Sequence, residues 1–271
     1  MLGDLFFYIS LLNQNEKDMT NTIMTLDQVK AVAPSIFATS ASPKVSNRYS
    51  FVPTVDIVEN FVNEGWDISS VKQVGRGIHG LHEIKFRNGQ LPSVGDTLIE
   101  AIITNSHNGT STLKVSAGLF RLVCSNGLTV PTSTADSFRI RHSGFELDDV
   151  KRLADDFAKR LPVIEGSVNR MMERELSIDE KLDFVRESAN IRWKTGFVPK
   201  LDYEQILSPN RKEDEGDSLW KVFNVVQEKW IRGGVEYNSE KGRKTKLKTI
   251  TDILNNNRIN TKLWELAEEI I

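Results

Sequence analysis

The sequence predicts an α+β protein: an N-terminal helix, an antiparallel twisted β-sheet over about residues 66–142, and a helical C-terminal half. Three observations carry this. A helix-period stripe closes at Gly65, short β-branched and aromatic runs punctuated by Asn-Gly and Gly-Asp pairs fill the middle, and the helix period returns after Gly144. The organisation read from these shifts is an extension over 1–24, an α+β sheet domain over 25–145, and a helical region over 146–271 packed on the sheet.

Residues 1–12 are apolar but lack a basic leader and a small-residue cleavage site. They read as an extension ahead of a second start at Met19 rather than as a secretory signal. Thr25-Leu26-Asp27-Gln28 has capping-box spacing and opens a brief helix that stops at Pro34. A loop-like run over 38–50 follows. Pro53-Thr54 then starts a second helix with Val55, Val58 and Phe61 or Val62 on its apolar face. From Trp66 the strands are "WDISSVKQV", "LHEIKF", "TLIEAIIT", "TLKVSAGLFRLV" and "SFRIR", with turns at Asn88-Gly89, Gly95-Asp96, Asn108-Gly109 and Asn126-Gly127. "SAGLFRLVCS" suits a buried helix equally well, because so short an apolar run has no decisive period.

In the C-terminal half, Leu147, Val150, Ala154, Phe157 and Leu161 define one helix. Ser177-Ile178-Asp179-Glu180 caps another, running through Leu182, Val185, Ala189 and Trp193. Residues 208–217, "SPNRKEDEGD", read as a charged, exposed linker. Ser218 then caps a helix with Leu219, Val222, Phe223, Val226 and Trp230 in its stripe, ending at Gly233-Gly234. "ITDILNNN" and "INTKLWELAEEII" form a last helical region.

Composition narrows the function classes. The 271 residues are 39% hydrophobic and 27% charged, enough for a packed core. Lys and Arg number 35 against 37 Asp and Glu, a net charge of −2, which excludes a uniformly basic nucleic-acid coat but not a local basic face. One cysteine, Cys124, excludes an internal disulfide framework and a multi-Cys zinc site. No run approaches the roughly 20 apolar residues of a membrane span, so no membrane partner and a cytoplasmic location are expected.

Few residues carry chemistry. His79, His82, His107 and His142 all fall in or beside the sheet, without a His-Glu-x-x-His pattern or an acidic cluster at ligand spacing, so no metal or other cofactor is expected. Cys124 follows Leu122-Val123, an apolar setting in which thiols are inert. Gly75, Gly77 and Gly80 match G-x-G-x-x-G by letter only, because a strand follows where the dinucleotide fingerprint requires a helix. Carboxylates over 146–187 sit at helix spacing beside Lys and Arg, the pattern of solvated helix faces. No catalytic residue is assigned.

Local charge is more informative. Residues 68–142 carry eight Lys/Arg against four acids. The candidate nucleic-acid contacts there are Lys72, Arg76, Arg121, Arg139 and Arg141. A second cluster, Lys241, Arg243, Lys244, Lys246 and Lys248, reads as a flexible basic loop suited to phosphates. Trp66, Phe86, Phe120 and Phe138 would stack bases if exposed, against the alternative that they are core.

"SAGLFRLVCSNGLTV" at 116–130, "NSHNGTS" at 105–111, "LWKVFNVVQEKW" at 219–230 and "INTKLWELAEEI" at 259–270 resemble a family of phage- and plasmid-like proteins built on a domain of unknown function. The resemblance covers the chain from about Val52 and implies a mobile-element protein with no catalytic residues to carry over. The helix, the Gly-Trp pair opening a twisted sheet, and a long helix look in architecture like single-strand annealing proteins of recombination. Together these imply a non-enzymatic DNA-binding protein, with single strands favoured, serving a mobile element. The competing expectation is a counter-defence or regulatory protein whose partner is a host protein complex. Self-association into a ring or dimer fits either.

Overall fold

A computed structural model describes residues 23–89, 97–121, 127–130, 139–140, 162–193 and 198–271, with backbone alone at 121, 127–130 and 139–140. The chain divides into two units, one of residues 1–127 and 134–158, the other of 128–133 and 159–271.

In the first unit, α1 (Leu26–Val32) begins as its sequence dictates: the Thr25 hydroxyl accepts from the Gln28 amide at 3.3 Å, and the Gln28 side chain accepts from the Thr25 amide at 2.8 Å. Pro34 converts the chain to a short 3-10 turn, Pro34–Phe37. Helix α2 (Thr54–Asn63) buries Thr54, Ile57, Val58 and Phe61. Ile57 takes the place expected for Val55, and Val62 is exposed. The stripe is set by where the first turn meets the sheet, which a 3.6-residue period leaves free by one position.

Strands β1 (Asp67–Val74), β2 (Leu81–Arg87), β3 (Thr97–Asn105) and β4 (Leu113–Arg121) form an antiparallel meander. Strand β5 spans Gly127–Val130, and β6 (Arg139–Ile140) pairs with β4. The run 116–121 is therefore strand, not helix. Register places Phe86 opposite Ala101 and Ala101 opposite Ala117, with Ile84, Ile103 and Val115 in the next row. These small and β-branched side chains form the core face, on which Phe61 of α2 stacks against Phe86 with centroids 4.8 Å apart. The opposite face carries Glu83, Lys85, Arg87 and Glu100. Glu100 is fully buried and paired with the Arg87 Nε at 2.8 Å, as a buried carboxylate must be.

The second unit is mainly helical. Residues 162–173 form α3, burying Ile164, Val168 and Met171. Helices α4 (Ile178–Arg192), α5 (Tyr203–Leu207), α6 (Leu219–Arg232) and α7 (Ile253–Glu268) follow. Ser177 and Glu180 cap α4 reciprocally, while the Asp202 and Asp252 carboxylates accept from the amides of Gln205 and Asn255 at the starts of α5 and α7. Helix α6 buries Leu219, Trp220, Phe223, Val226 and Trp230 together with Asn224, Gln227 and Glu228, so it is enclosed on almost every side. Two of its buried polar side chains are paired, the Gln227 amide donating to Asn260 Oδ1 at 2.9 Å and Trp230 Nε1 to Ser188 Oγ at 2.8 Å, while the buried Trp220 Nε1 has no acceptor among the described residues.

Residues 208–217 are mostly exposed, as their composition suggests, but they are tied to the helices rather than forming a free linker. Lys212–Asp214 is a 3-10 turn with Asp214 buried. The Arg211 guanidinium forks both Glu228 oxygens at 2.8 and 2.7 Å and reaches Asp214 at 3.3 Å. Leu219 N donates to Arg174 O, and Leu176 N to Asp217 O, stitching the segment to the end of α3. Burial alone would raise the Glu228 pKa, but the Arg211 hydrogen bonds outweigh it and hold the carboxyl below its ordinary value. Arg211→Ala removes both guanidinium bonds to this carboxylate of α6 and leaves it Arg232 Nη1 at 3.9 Å, and a loss of about 3 kcal/mol in denaturant unfolding is expected. Among the described residues no helix is long and apolar enough to cross a membrane.

Candidate nucleic-acid interface

The basic cluster at 241–248 is a built element, not a flexible loop. Strands β7 (Glu236–Asn238) and β8 (Lys244–Lys246) pair antiparallel, with Glu236 opposite Lys246, Tyr237 opposite Thr245 and Asn238 opposite Lys244. The turn closes through Ser239: its carbonyl accepts from Gly242 N at 2.7 Å, and its hydroxyl accepts from Arg243 N at 3.1 Å. Lys241, Arg243, Lys244, Lys246 and Lys248 are all exposed. The two-residue period puts Lys244 and Lys246 on one side of the ribbon, where Lys246 Nζ meets Glu236 at 3.2 Å. Five cations against Glu236 and Glu240 leave a net +3 on this hairpin.

The other side of the ribbon is anchored. Tyr237 contacts Trp193 edge-on at 5.7 Å. Gly234 N donates to Leu247 O and Leu247 N to Val235 O, both at 2.8 Å. The Arg192 guanidinium ties the base together, donating to Trp230 O and Lys248 O at 3.0 Å each. Burial, with the nearby Arg258 charge adding to it, pushes the Arg192 pKa down despite the favourable Tyr237 oxygen. Arg258 is held in turn by Ile191 O at 3.0 Å. Both arginines were missed by sequence reasoning. They lie at least 49 and 10 positions from the 241–248 cluster, and nothing local marks them. A groove of about 430 Å³ beside the ribbon is lined by Lys200, Leu201, Asp202, Tyr237, Asn238 and Lys244.

The sheet candidates all belong to the first unit and are not gathered into one such element. Lys72 is exposed on β1 opposite Glu83, and Arg76 is exposed in the β1–β2 turn. Arg121 stands opposite Thr97 at the end of β4 and Arg139 opposite Lys114, on backbone alone. Arg141 lies outside the described residues, as do Phe138, Cys124 and His142. The three described aromatic residues of the stacking set each have a neighbour within the protein. Phe86 is fully buried, Trp66 meets Phe61 edge-on, and the Arg87 guanidinium covers the Phe120 ring at 3.7 Å from its centroid.

The remaining histidines converge, which sequence spacing alone did not reveal. His82 and His107 are fully buried with ring centroids 5.2 Å apart, and His107 N donates to His79 O. Proton positions follow from the partners. Ser35 donates to Gln73 Oε1 at 2.7 Å, so its oxygen is left to accept from His82 Nδ1 at 2.9 Å. Gly80 O, 3.0 Å from the same nitrogen, can only accept. His82 Nδ1 therefore carries the proton and Nε2 accepts from the Thr54 hydroxyl at 2.9 Å. Asn105 donates to Thr54 Oγ1 at 2.9 Å, and His107 Nε2 completes the set at 3.4 Å. Burial, aided by His107 and against the Gly80 carbonyl, lowers the His82 pKa to about 3. Thr54, like both rings, is fully buried. No group of three or more His, Cys, Asp or Glu able to hold a metal occurs among the described residues. The glycine-rich run 75–80 links β1 to β2, with strand on both sides, which is not a dinucleotide loop.

Two curated proteins of Escherichia coli K12, UPF0380 protein YafZ and UPF0380 protein YfjQ, are each 28% identical to this chain over 254 residues, covering 92% of both partners. No solved structure matches. The family described as "Domain of unknown function (DUF932)" matches residues 41–264, from the loop before α2 into the last helix, and the chain belongs to that family.

Proposed function

We propose that this protein is a non-enzymatic DNA-binding protein of a mobile element, favouring single strands, that holds the phosphate backbone on the β7–β8 hairpin. The observation carrying this reading is the exposed ribbon itself: five cations project from one short, anchored element, in a chain whose net charge is −2. Charge concentrated in this way does not come from composition, and Lys and Arg gathered on one element displace counterions from phosphates as a group. Arg192 and Arg258 at the ribbon's base support it, since two further guanidinium groups deepen the local positive potential.

Binding of a labelled single strand should weaken about 150-fold to about 500-fold between about 50 mM and about 300 mM salt, as expected for four or five phosphate contacts. Replacing Lys241, Arg243, Lys244 and Lys246 by Ala should lower affinity more than about tenfold and flatten the salt slope. Salt-independent affinity, or an unchanged quadruple variant, sinks the reading and turns the search toward a host protein complex as partner.

A further inference from the structure

The β1–β2 turn, residues 75–80, is exposed, apolar at its tip and yet held rigidly from beneath. Ile78 is 50% exposed and Val74, at the end of β1, is 39% exposed. Gly75 and Gly77 take φ of 84° and 89°, and a Cβ on either would meet nothing within 4 Å, so the tip stands clear of the body. The Gln73 amide donates to the carbonyls of Gly75 and Gly77 at 3.2 and 2.9 Å, closing the turn on itself. Gln73 Oε1 accepts from Ser35 N and Oγ, and Ser35 accepts from the buried His82. On the far side, His79 O accepts from His107 N. The buried Ser35–His82–Thr54–His107 chain therefore positions a surface turn.

The charge of this tip selects its partner. Lys72 and Arg76 are exposed; Lys72 stands opposite Glu83 on β2, while the turn that carries Arg76, residues 75–80, holds no carboxylate. A cation beside a projecting β-branched side chain on a preordered turn suits an apolar wedge that enters between bases while the arginine meets the flanking phosphate. Rigidity matters here, because a turn already fixed loses little conformational freedom on binding. We propose that the β1–β2 tip is a second nucleic-acid contact, with Ile78 unstacking bases and Arg76 and Lys72 on the phosphates. It rests on the DNA-binding reading above and adds to it a base contact that the hairpin lacks.

The test uses the full chain and a single strand carrying 2-aminopurine at alternate positions, whose fluorescence rises on unstacking. The wild type should raise the signal at saturation. Ile78→Ser, at an exposed position, should bind about threefold more weakly and lose most of that rise, because the wedge gains apolar contact but must unstack the bases. Ile78→Leu should restore both. Lys244→Ala should weaken binding but keep the full rise at saturation, because the hairpin acts on phosphates. DNA binding with an Ile78→Ser signal equal to wild type overturns the wedge and leaves the hairpin reading intact. Absence of any DNA binding at low salt overturns both.

Discussion

Thr54→Val should remove about 3 kcal/mol of stability, and acidification should erode the same region in the wild type. Thr54 Oγ1 is the hub at which His82 Nε2, His107 Nε2 and Asn105 Nδ2 meet, all of them buried. A valine fills the space but offers nothing to these three groups, and each buried group left unsatisfied costs about 1–3 kcal/mol. The pH dependence follows from the same burial. His82 is neutral in the folded protein, with its pKa lowered to about 3, and titrates near its ordinary value of 6.5 once unfolded. Below that value the unfolded chain binds a proton that the folded one refuses. The contribution of His82 is thus complete above about pH 6.5 and is lost as pH falls, at about 1.4 kcal/mol per unit. Ser35, Gln73, Gly80 O and His107 surround the ring, with no carboxylate among its hydrogen-bond partners to stabilise the charge. Urea unfolding at about pH 7.5 and about pH 4.5 should differ by about 2.7 kcal/mol from this group alone. Equal stability at the two values, with Thr54→Val costing under about 1 kcal/mol, would falsify the network as a stability element.

What was legible in the sequence was local. Capping boxes at Thr25 and Ser177 place both partners within three residues, so helix starts could be read directly and the structure reproduces them. The α6 stripe and its stop at Gly233 were visible for the same reason. The hairpin was legible as charge but not as structure. Strands of three residues, rich in Lys and Glu, carry no alternation of apolar and polar residues to mark them. In residues 208–217 the charges rightly implied solvent for most of the segment, but not that Arg211 is paired with a carboxylate 17 positions later, on the next helix. The histidine chain joins residues 28 and 47 positions apart, at helix α2, the 3-10 turn and strand β2. Only the assembled sheet could bring them together, and with them the turn that presents Ile78.

Gly233→Ala should be the most damaging small substitution in the second unit, at about 3 kcal/mol or more. Gly233 ends α6 with φ 76°, a region costly for any residue with a Cβ. The added carbon would lie 2.2 Å from Leu247 O and 2.9 Å from the carbonyl carbons of Leu247 and Lys248. Those are backbone atoms of the segment that follows β8, so no rotamer change relieves the clash. Relief would require separating Leu247 from the end of α6, which breaks the Gly234–Leu247 and Leu247–Val235 hydrogen bonds and lifts Lys248 from Arg192. Gly234→Ala is the control: φ is 86°, but nothing lies within 4 Å of its Cβ, so backbone strain of about 1 kcal/mol is the whole effect. If the hairpin is the phosphate-binding element, Gly233→Ala should also lose affinity for a single strand at a denaturant-free temperature where Gly234→Ala keeps it. That pairing separates the shape of the ribbon from its charge, since neither substitution removes a cation. Equal unfolding midpoints for the two variants would mean that α6 and the Leu247 backbone are not in the close contact from which the hairpin projects.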